Sequence, residues 1–358
     1  MLFMTGNPVM EEAPALALPP AFYLGADRLA TDTRAVLARG WQLVAHASDV
    51  AGPGDHVVAR VADAPVIVVR GDDGVLRAFP NVCRHRAGPL ALENGRGARQ
   101  LHCRYHGWIY GLDGRLKRAP GMQGAAGFDP GGVRLPMLGL AEWLGLVFVN
   151  LAPDPVPFGE VVAGIAERIT PADFAPMRHV HSRAYDVACN WKVYVDNYVE
   201  GYHLPYVHQG LTQALDYRSY HTETARWHSL QHSPVAPVGT AYGEGHAWYY
   251  YIYPNTMLNV MPGRLQANRV LPLAPERCRV EFHYYYLPDP GAESRIAADL
   301  VFTDRVQQED GGICEQVQQG LASGFYEPGR LCPRHEGAVA HFHRLLLADY
   351  ARDKELTA

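Results

Sequence analysis

Cys83-Arg84-His85 and, after seventeen intervening residues, Cys103-Arg104-Tyr105-His106 are two short segments that each set a thiol and an imidazole side by side. Either pair alone is a weak signal. Two pairs with the same order, Cys before His, make a strong one, because together they supply four donors for a metal centre from two tight loops. The flanking sequence is β-rich: Val57-Val58, Val66-Ile67-Val68-Val69 and Val75-Leu76 are short runs of strand formers, interrupted by the turn signals Gly52-Pro53-Gly54 and Gly71-Asp72-Asp73-Gly74. Leu144-Gly145-Leu146-Val147-Phe148-Val149-Asn150-Leu151 reads as a closing buried strand, and Pro153-Asp154-Pro155-Val156-Pro157 as a linker. A small all-β domain over 41–155 is expected.

Two thiolates and two imidazoles match a Rieske [2Fe-2S] centre, in which two Cys hold one iron and two His hold the other. Structural zinc is the competing reading, but zinc sites more usually pair Cys with Cys and His with His at short spacing. Gly88-Pro89 and Gly107-Trp108 are expected to let backbone amides approach the sulfurs, with Tyr105 as a side-chain donor.

Around this kernel the chain has 358 residues, 48% apolar and 19% charged, with 6 Cys, 17 His and a formal charge of -5. That composition excludes a disordered tail, a disulfide scaffold and a fibre, and it leaves room for two unequal domains. Lys+Arg at 32 against Asp+Glu at 37, with no basic cluster, gives no footprint for nucleic acid. The first 20 residues contain no Lys or Arg and no continuous apolar run, so a secretory signal is not expected. The longest uncharged stretch, Gly245 to Gly263, is interrupted by Pro254, Asn255 and Asn259, so no membrane helix is expected. A cytoplasmic setting follows, in which Cys189, Cys278, Cys314 and Cys332 are thiols rather than disulfides.

Residues 1–40 read as an N-terminal arm, Pro-rich at 13–20, with an amphipathic helix from Asp27 to Gly40 on Leu29, Val36 and Leu37. Beyond the linker, 156–358 reads as α+β: helices at 158–169, 293–321 and 335–351, and strands at 182–187, 246–261, 265–273 and 278–287. The segment Trp191 to His208 reads as helix up to Pro205. His203 and His208 would diverge by about 140° on an unbroken helix. A kink at Pro205 brings them to one metal, which then needs a carboxylate to complete a 2-His-1-carboxylate triad with positions open for O2 on Fe(II). Glu309, Asp310 and Glu315 are the candidates, and position alone does not choose among them.

The two-part pattern resembles the catalytic α subunits of Rieske non-haem iron oxygenases, from Gly40-Trp41 to about Phe342-His343. Within them it is most similar to the choline monooxygenase-like enzymes of quaternary ammonium compounds. The residues behind this are Asp196-Asn197-Tyr198-Val199-Glu200-Gly201-Tyr202-His203, Tyr206-Val207-His208, Tyr253-Pro254-Asn255 and Gln308-Glu309-Asp310 through Gly320-Leu321. The resemblance implies a small all-β Rieske domain, a larger catalytic domain whose antiparallel sheet is covered by helices in a helix grip, and an arm packed on the latter. It makes Cys83, His85, Cys103 and His106 the cluster ligands and His203, His208 and Asp310 the iron ligands. It gives Glu200 the role of a carboxylate bridging the cluster of one subunit to the iron of its neighbour in a homotrimer. Many ring-hydroxylating members have Asp there, and here one residue fewer separates Asn197 from His203 than in many relatives. With no flavin or nicotinamide motif in the chain, electrons are expected ultimately from NAD(P)H through a separate reductase or ferredoxin.

A permanent cation would be held by aromatic faces without a buried anion. Tyr198, Tyr202, Tyr206, Trp248 and Tyr250 are the expected walls, with Trp227, Tyr249, Tyr251 and Tyr253 as further candidates. Strand alternation lets only one of the sets Trp248/Tyr250 and Tyr249/Tyr251/Tyr253 face a given side. Aromatic-ring hydroxylation or aromatic-acid O-demethylation is the alternative, and would favour Arg226 or Arg264 in the pocket. From other classes, a Rieske electron carrier or a zinc-stabilised binding protein would leave His203 and His208 structural.

Overall fold

Short β-branched runs between glycine turns pair as antiparallel hairpins in the first half of the chain. The computed structural model describes residues 15–169, 171–235 and 245–357, so residues 1–14 of the expected arm lie outside it. After helix α1 (Ala26–Thr31) come β1 (Gln42–His46), β2 (His56–Val61), β3 (Ala64–Arg70), β4 (Leu76–Pro80), β5 (Leu101–Cys103), β6 (Trp108–Tyr110), β7 (Leu116–Arg118), β8 (Gly139–Trp143) and β9 (Leu146–Asn150). They form three small sheets in the orders β2-β3-β4, β5-β6-β7 and β1-β9-β8. Cys83 follows β4, whereas Cys103 ends β5 and His106 sits in the β5–β6 turn, so the two loops of the motif meet over one core of Ile67, Phe79, Leu101, Trp108 and Leu135.

The second half is built on seven antiparallel strands. β10 (Arg178–Val187), β11 (His221–Thr224), β12 (His228–Pro234), β13 (His246–Ile252), β14 (Thr256–Met261), β15 (Arg264–Ala274) and β16 (Arg277–Tyr286) assemble in the order β10-β16-β15-β14-β13-β12-β11. Helices α2 (Phe158–Val161) and α3 (Pro171–Phe174) precede this sheet. Between β10 and β11 lie α4 (Trp191–Tyr198), α5 (Leu204–Val207) and α6 (Gln209–Ala214), and after the sheet come α7 (Glu293–Ala322) and α8 (Gly337–Thr357). Alternate side chains serve opposite faces. Tyr251, Met257, Val280 and Phe282 pack under α4, α7 and α8, whereas Tyr250, Ile252, Leu258 and Leu265 pack on Leu43, Leu146 and Phe148 of β1 and β9. The fold is α+β, and the sheet is the floor shared by both halves. Among the described residues no helix is long and apolar enough to cross a membrane.

Several expected boundaries move. α1 passes into a π-helical turn over Asp32–Leu37, which puts Asp32, Ala35, Val36 and Leu37 inward and leaves Leu29 half-buried. The expected helix at 158–169 is α2 plus a 3-10 turn at Ile165–Glu167, divided at Gly164, whose φ of 87° no right-handed helix accommodates. The stretch 246–261 is a hairpin turning at Tyr253-Pro254-Asn255. β11, β12 and α6 were not expected, because their sequences are polar and carry little apolar period.

Buried Asp32 ties the arm to both later helices. It accepts from Trp191 Nε1 at 2.9 Å, from the Tyr350 hydroxyl at 2.5 Å and from the Lys192 ammonium. Asp32 and Lys192 are both fully buried, and burial pulls the Lys192 pKa below its usual value. Asp32→Ala strands that ammonium, so a loss of about 3–5 kcal/mol and a fall of roughly 4–7 °C in the thermal unfolding midpoint are expected. Calorimetric melting checks this, and an unchanged midpoint would contradict it.

Candidate active site

Helix α4 begins on an Asn190 cap, whose side chain accepts from Lys192 N–H at 3.0 Å, and stops at Tyr198. The break expected at Pro205 therefore falls earlier. The Gly201 backbone passes so close to the Tyr220 ring that an added Cβ would sit 2.4 Å from it. Pro205 lies in the first turn of α5, where its missing N–H leaves no bond unmade. His203 is the residue before α5 and His208 the residue after it, so one short turn of helix spaces the two imidazoles. Their rings stand 5.1 Å apart at 76°.

Asp310 comes to this pair from α7. Its Oδ1 lies 2.9 Å from His208 Nε2 and 3.8 Å from His203 Nε2, and the three donor atoms fall within 4.8 Å of one another. Asn197 Nδ2 donates to Oδ1 at 2.6 Å and Gln307 Nε2 to Oδ2 at 3.3 Å, while the Tyr194 hydroxyl holds Gln307. Behind the imidazoles are two more carboxylates: His203 Nδ1–H meets Glu200 at 2.5 Å and His208 Nδ1–H meets Glu309 at 2.8 Å. Each Nδ1 is thereby committed, which leaves both Nε2 lone pairs for a cation. Burial alone would lower the His208 pKa, but the Asp310 and Glu309 carboxylates outweigh it and raise it, the response of a site with surplus negative charge. The donor set fits one ferrous ion. Of the three carboxylates left open by position, Asp310 joins the imidazoles, Glu309 stands behind His208, and Glu315 accepts from the Ala188 N–H at 3.0 Å.

The other four predicted donors also converge. Cys83 and Cys103 are buried together, and the His85 and His106 rings lie 4.7 Å apart. His85 Nδ1 is buried with no hydrogen-bond partner among the described residues, as a ring nitrogen reserved for metal would be. An added Cβ at Gly88 would lie 2.9 Å from Cys103 Sγ, so only glycine lets the backbone pass the sulfur. These observations fit a [2Fe-2S] cluster. Two expected contacts change. The Gly107 N–H is spent on the Cys103 carbonyl, and the donor hydroxyl comes from Tyr110. Tyr110 accepts the Arg84 N–H at 3.0 Å and so turns its own proton to Cys83 Sγ at 3.2 Å. Tyr105 is exposed, and its ring lies tilted against His106, 3.7 Å between centroids, instead. A hydrogen bond to sulfur favours the reduced, more negative cluster. Tyr110→Phe should lower its reduction potential by ~40 mV, about 1 kcal/mol for one electron, as read by spectroelectrochemical titration.

A cavity of about 80 Å³ adjoins the triad, walled by Tyr194, Tyr198, Tyr220, Tyr249, Gln231 and Asn259. Of the five aromatics expected to wall it, only Tyr198 does. Tyr202 is 44% exposed and stacks on His335, and Tyr206 is 80% exposed. Trp248 and Tyr250 point to the opposite face of the sheet, where Trp248 stacks on His246 and Tyr250 joins the core shared with β1 and β9. The β13 residue facing the triad is Tyr249. Tyr251 and Tyr253 lie deeper in the helix-side core, and Trp227 packs against Tyr253. A second cavity, about 500 Å³, reaches Glu200 and His203 from the side of α7 and α8.

Residues 40–133 match the Rieske [2Fe-2S] domain, and residues 174–351 match the ring hydroxylating alpha subunit catalytic domain. The chain is 34% identical over 345 residues to the chloroplastic choline monooxygenase of Arabidopsis thaliana, spanning 92% of this chain and 81% of that protein. It is 30% identical over 349 residues to the carnitine monooxygenase oxygenase subunit of Escherichia coli K12, spanning 93% of each. It superimposes on the quaternary ammonium Rieske monooxygenase CntA in complex with L-carnitine with a TM-score of 0.84, at 27% identity, spanning 94% of this chain and 96% of that one. Buried thiols and facing imidazoles in one half, two histidines and an aspartate in the other, the two matching domain families and a relative 34% identical over 81% of its length lead to one family: this chain belongs to the Rieske non-haem iron oxygenases.

Proposed function

We propose that Cys83, His85, Cys103 and His106 hold the cluster, that His203, His208 and Asp310 hold the iron, and that the substrate is a quaternary ammonium or N-methyl compound. The carrying observation is the cavity wall. It is made of tyrosines, amides, the Leu204, Leu211 and Val306 side chains, the two histidines and the Glu200 and Asp310 carboxylates, with no Lys or Arg on it among the described residues. Such a wall suits a permanent cation, which needs ring faces and oxygen lone pairs rather than donors. The aromatic-acid reading loses its anchors. Arg226 is paired with Glu160 on the surface, and buried Arg264 is paired with Asp299, whose other oxygen takes the Tyr286 hydroxyl.

Iron held by His203, His208 and Asp310 would supply reductive activation of O2 for oxidation of a substrate C–H bond. The protein's own groups do the rest. Glu200 and Glu309 orient the imidazoles, Asn197 and Gln307 fix the Asp310 carboxylate, and the tyrosines bound the cavity. Glu200 is the proposed bridge toward a neighbour's cluster in a homotrimer, fed from NAD(P)H through a separate reductase or ferredoxin. None of the six cysteines is paired in a disulfide, and Cys189, Cys278, Cys314 and Cys332, outside the cluster loops, are free thiols, which suits a reducing cytoplasm.

The test is product analysis under O2 with a surrogate reductase. An aldehyde or formaldehyde from an N-methyl substrate, and tighter binding of choline than of uncharged 3,3-dimethylbutanol, are expected. Equal binding of the two would remove the cation reading, and a phenol or diol from an aromatic acid would favour the alternative.

A further inference from the structure

Resting on the quaternary ammonium reading, we infer that this pocket selects a cation whose remainder is uncharged, of the amino-alcohol kind, and discriminates against one that carries a carboxylate. A zwitterion with a carboxylate tail needs a guanidinium, an ammonium or a set of uncommitted N–H and O–H donors at the far end of its pocket. A buried carboxylate without them keeps its full desolvation penalty.

The cavity beside the triad supplies no cation. The segments 1–14 and 236–244, and residues 170 and 358, contain no Lys or Arg, so all 32 cationic side chains lie in the described parts of the chain, and none of them lines the cavity. The only formal charges on the wall besides the histidines are the two carboxylates, Glu200 and Asp310.

Two of the wall's tyrosines, Tyr198 and Tyr220, are turned to its amides. Tyr198 donates its hydroxyl to Asn259 Oδ1 at 2.6 Å, and Tyr220 donates to Gln231 Oε1 at 3.0 Å. The amide of Gln231 donates in turn to the Tyr198 carbonyl at 2.6 Å, and that of Asn259 to Gln266 at 2.8 Å. Asn259 and Gln231 thus act as specificity determinants. By taking up the phenol protons they leave these tyrosines to present rings and oxygen lone pairs to the substrate, a surface matched to alkylammonium and mismatched to carboxylate. Gln231 and Asn259 are buried on β12 and β14, so the arrangement is set by the rigid sheet rather than by a loop.

The experiment uses the reconstituted holoenzyme with four ligands: choline, L-carnitine, γ-butyrobetaine and carnitinamide, the last keeping the length of carnitine without its charge. Affinity is read by anaerobic calorimetry, and kcat/KM by O2-coupled turnover. Choline should exceed L-carnitine and γ-butyrobetaine on the order of 100-fold in kcat/KM, with a parallel gap in affinity. Carnitinamide should recover roughly tenfold or more over L-carnitine. A carboxylate compound equal to or better than choline would overturn the inference, as would carnitinamide no better than L-carnitine, since length rather than charge would then decide. If none of the ammonium compounds binds more tightly than 3,3-dimethylbutanol, the parent reading fails, and the inference falls with it.

Discussion

Asp310→Asn should lower the iron content from about three to about two per protomer, leave the cluster's visible spectrum intact, and reduce O2-coupled turnover by a factor on the order of 10³ or more. The substitution preserves volume, and Asn can still accept from Asn197, so the effect isolates the charge and the metal-binding oxygen rather than the fold. The geometry makes the expectation specific. Asp310 Oδ1 is the oxygen nearest both Nε2 atoms, whereas Glu309 reaches only His208 Nδ1. Glu309→Gln should therefore keep most of the iron at saturating metal and weaken its retention by roughly 10- to 100-fold. Iron quantitation beside cluster absorbance separates the two variants. Asp310→Asn with three irons and unchanged turnover would remove Asp310 from the coordination sphere.

The contrast between those neighbours shows how far the sequence carries. The convergence of Cys83, His85, Cys103 and His106 was legible because each pair sits in one tight loop, where spacing largely fixes the geometry. The carboxylate that joins His203 and His208 was not, since it arrives from a helix about a hundred residues away and its choice depends on the rotation of α7 against α4. Asp310 and Glu309 differ by one residue, or about 100° around that helix, and only packing decides which meets the imidazole nitrogens and which stands behind them. Pro205 misled for a related reason. Proline both breaks a helix and begins one: α4 ends at Tyr198, seven residues before Pro205, which instead starts α5, and the close pass of Gly201 by the Tyr220 ring is invisible without the fold. Alternation correctly divided the β13 aromatics into two sets, but it could not name the face. That β1 and β9 cover the side bearing Tyr250 is a fact of domain packing, and it leaves Tyr249 to the cavity. Gln231 and Asn259 gave no signal of their own, because a buried amide on a strand has no sequence pattern beyond being polar where an apolar residue would be ordinary.

Glu200→Gln should separate the two duties this carboxylate is placed to perform. One oxygen accepts from His203 Nδ1 at 2.5 Å, and the other faces the N–H groups of Tyr202 and His203, so Glu200 fixes the His203 imidazole. It also borders both cavities, the small one beside the triad and the larger one reached from α7 and α8, which places it between the iron and the outside of the subunit. On the side of the cysteine–histidine loops, Tyr105 and His106 are exposed, as the proposed contact with a neighbouring subunit would require. Gln keeps the size and one acceptor but loses the charge that draws two imidazole N–H groups together. If Glu200 bridges the sites, turnover should fall by about 100-fold or more with close to full iron, and in a chemically reduced enzyme the cluster should reoxidise more slowly by a similar factor when O2 and substrate are added. If Glu200 only orients His203, iron is lost while reoxidation in the loaded fraction stays at the parent rate. Glu200→Asp retains the charge at a shorter reach, so partial recovery of the reoxidation rate over Glu200→Gln is expected. Stopped-flow absorbance of the cluster reads this step without depending on product release, and an unchanged rate in Glu200→Gln would leave the carboxylate with an orienting role alone.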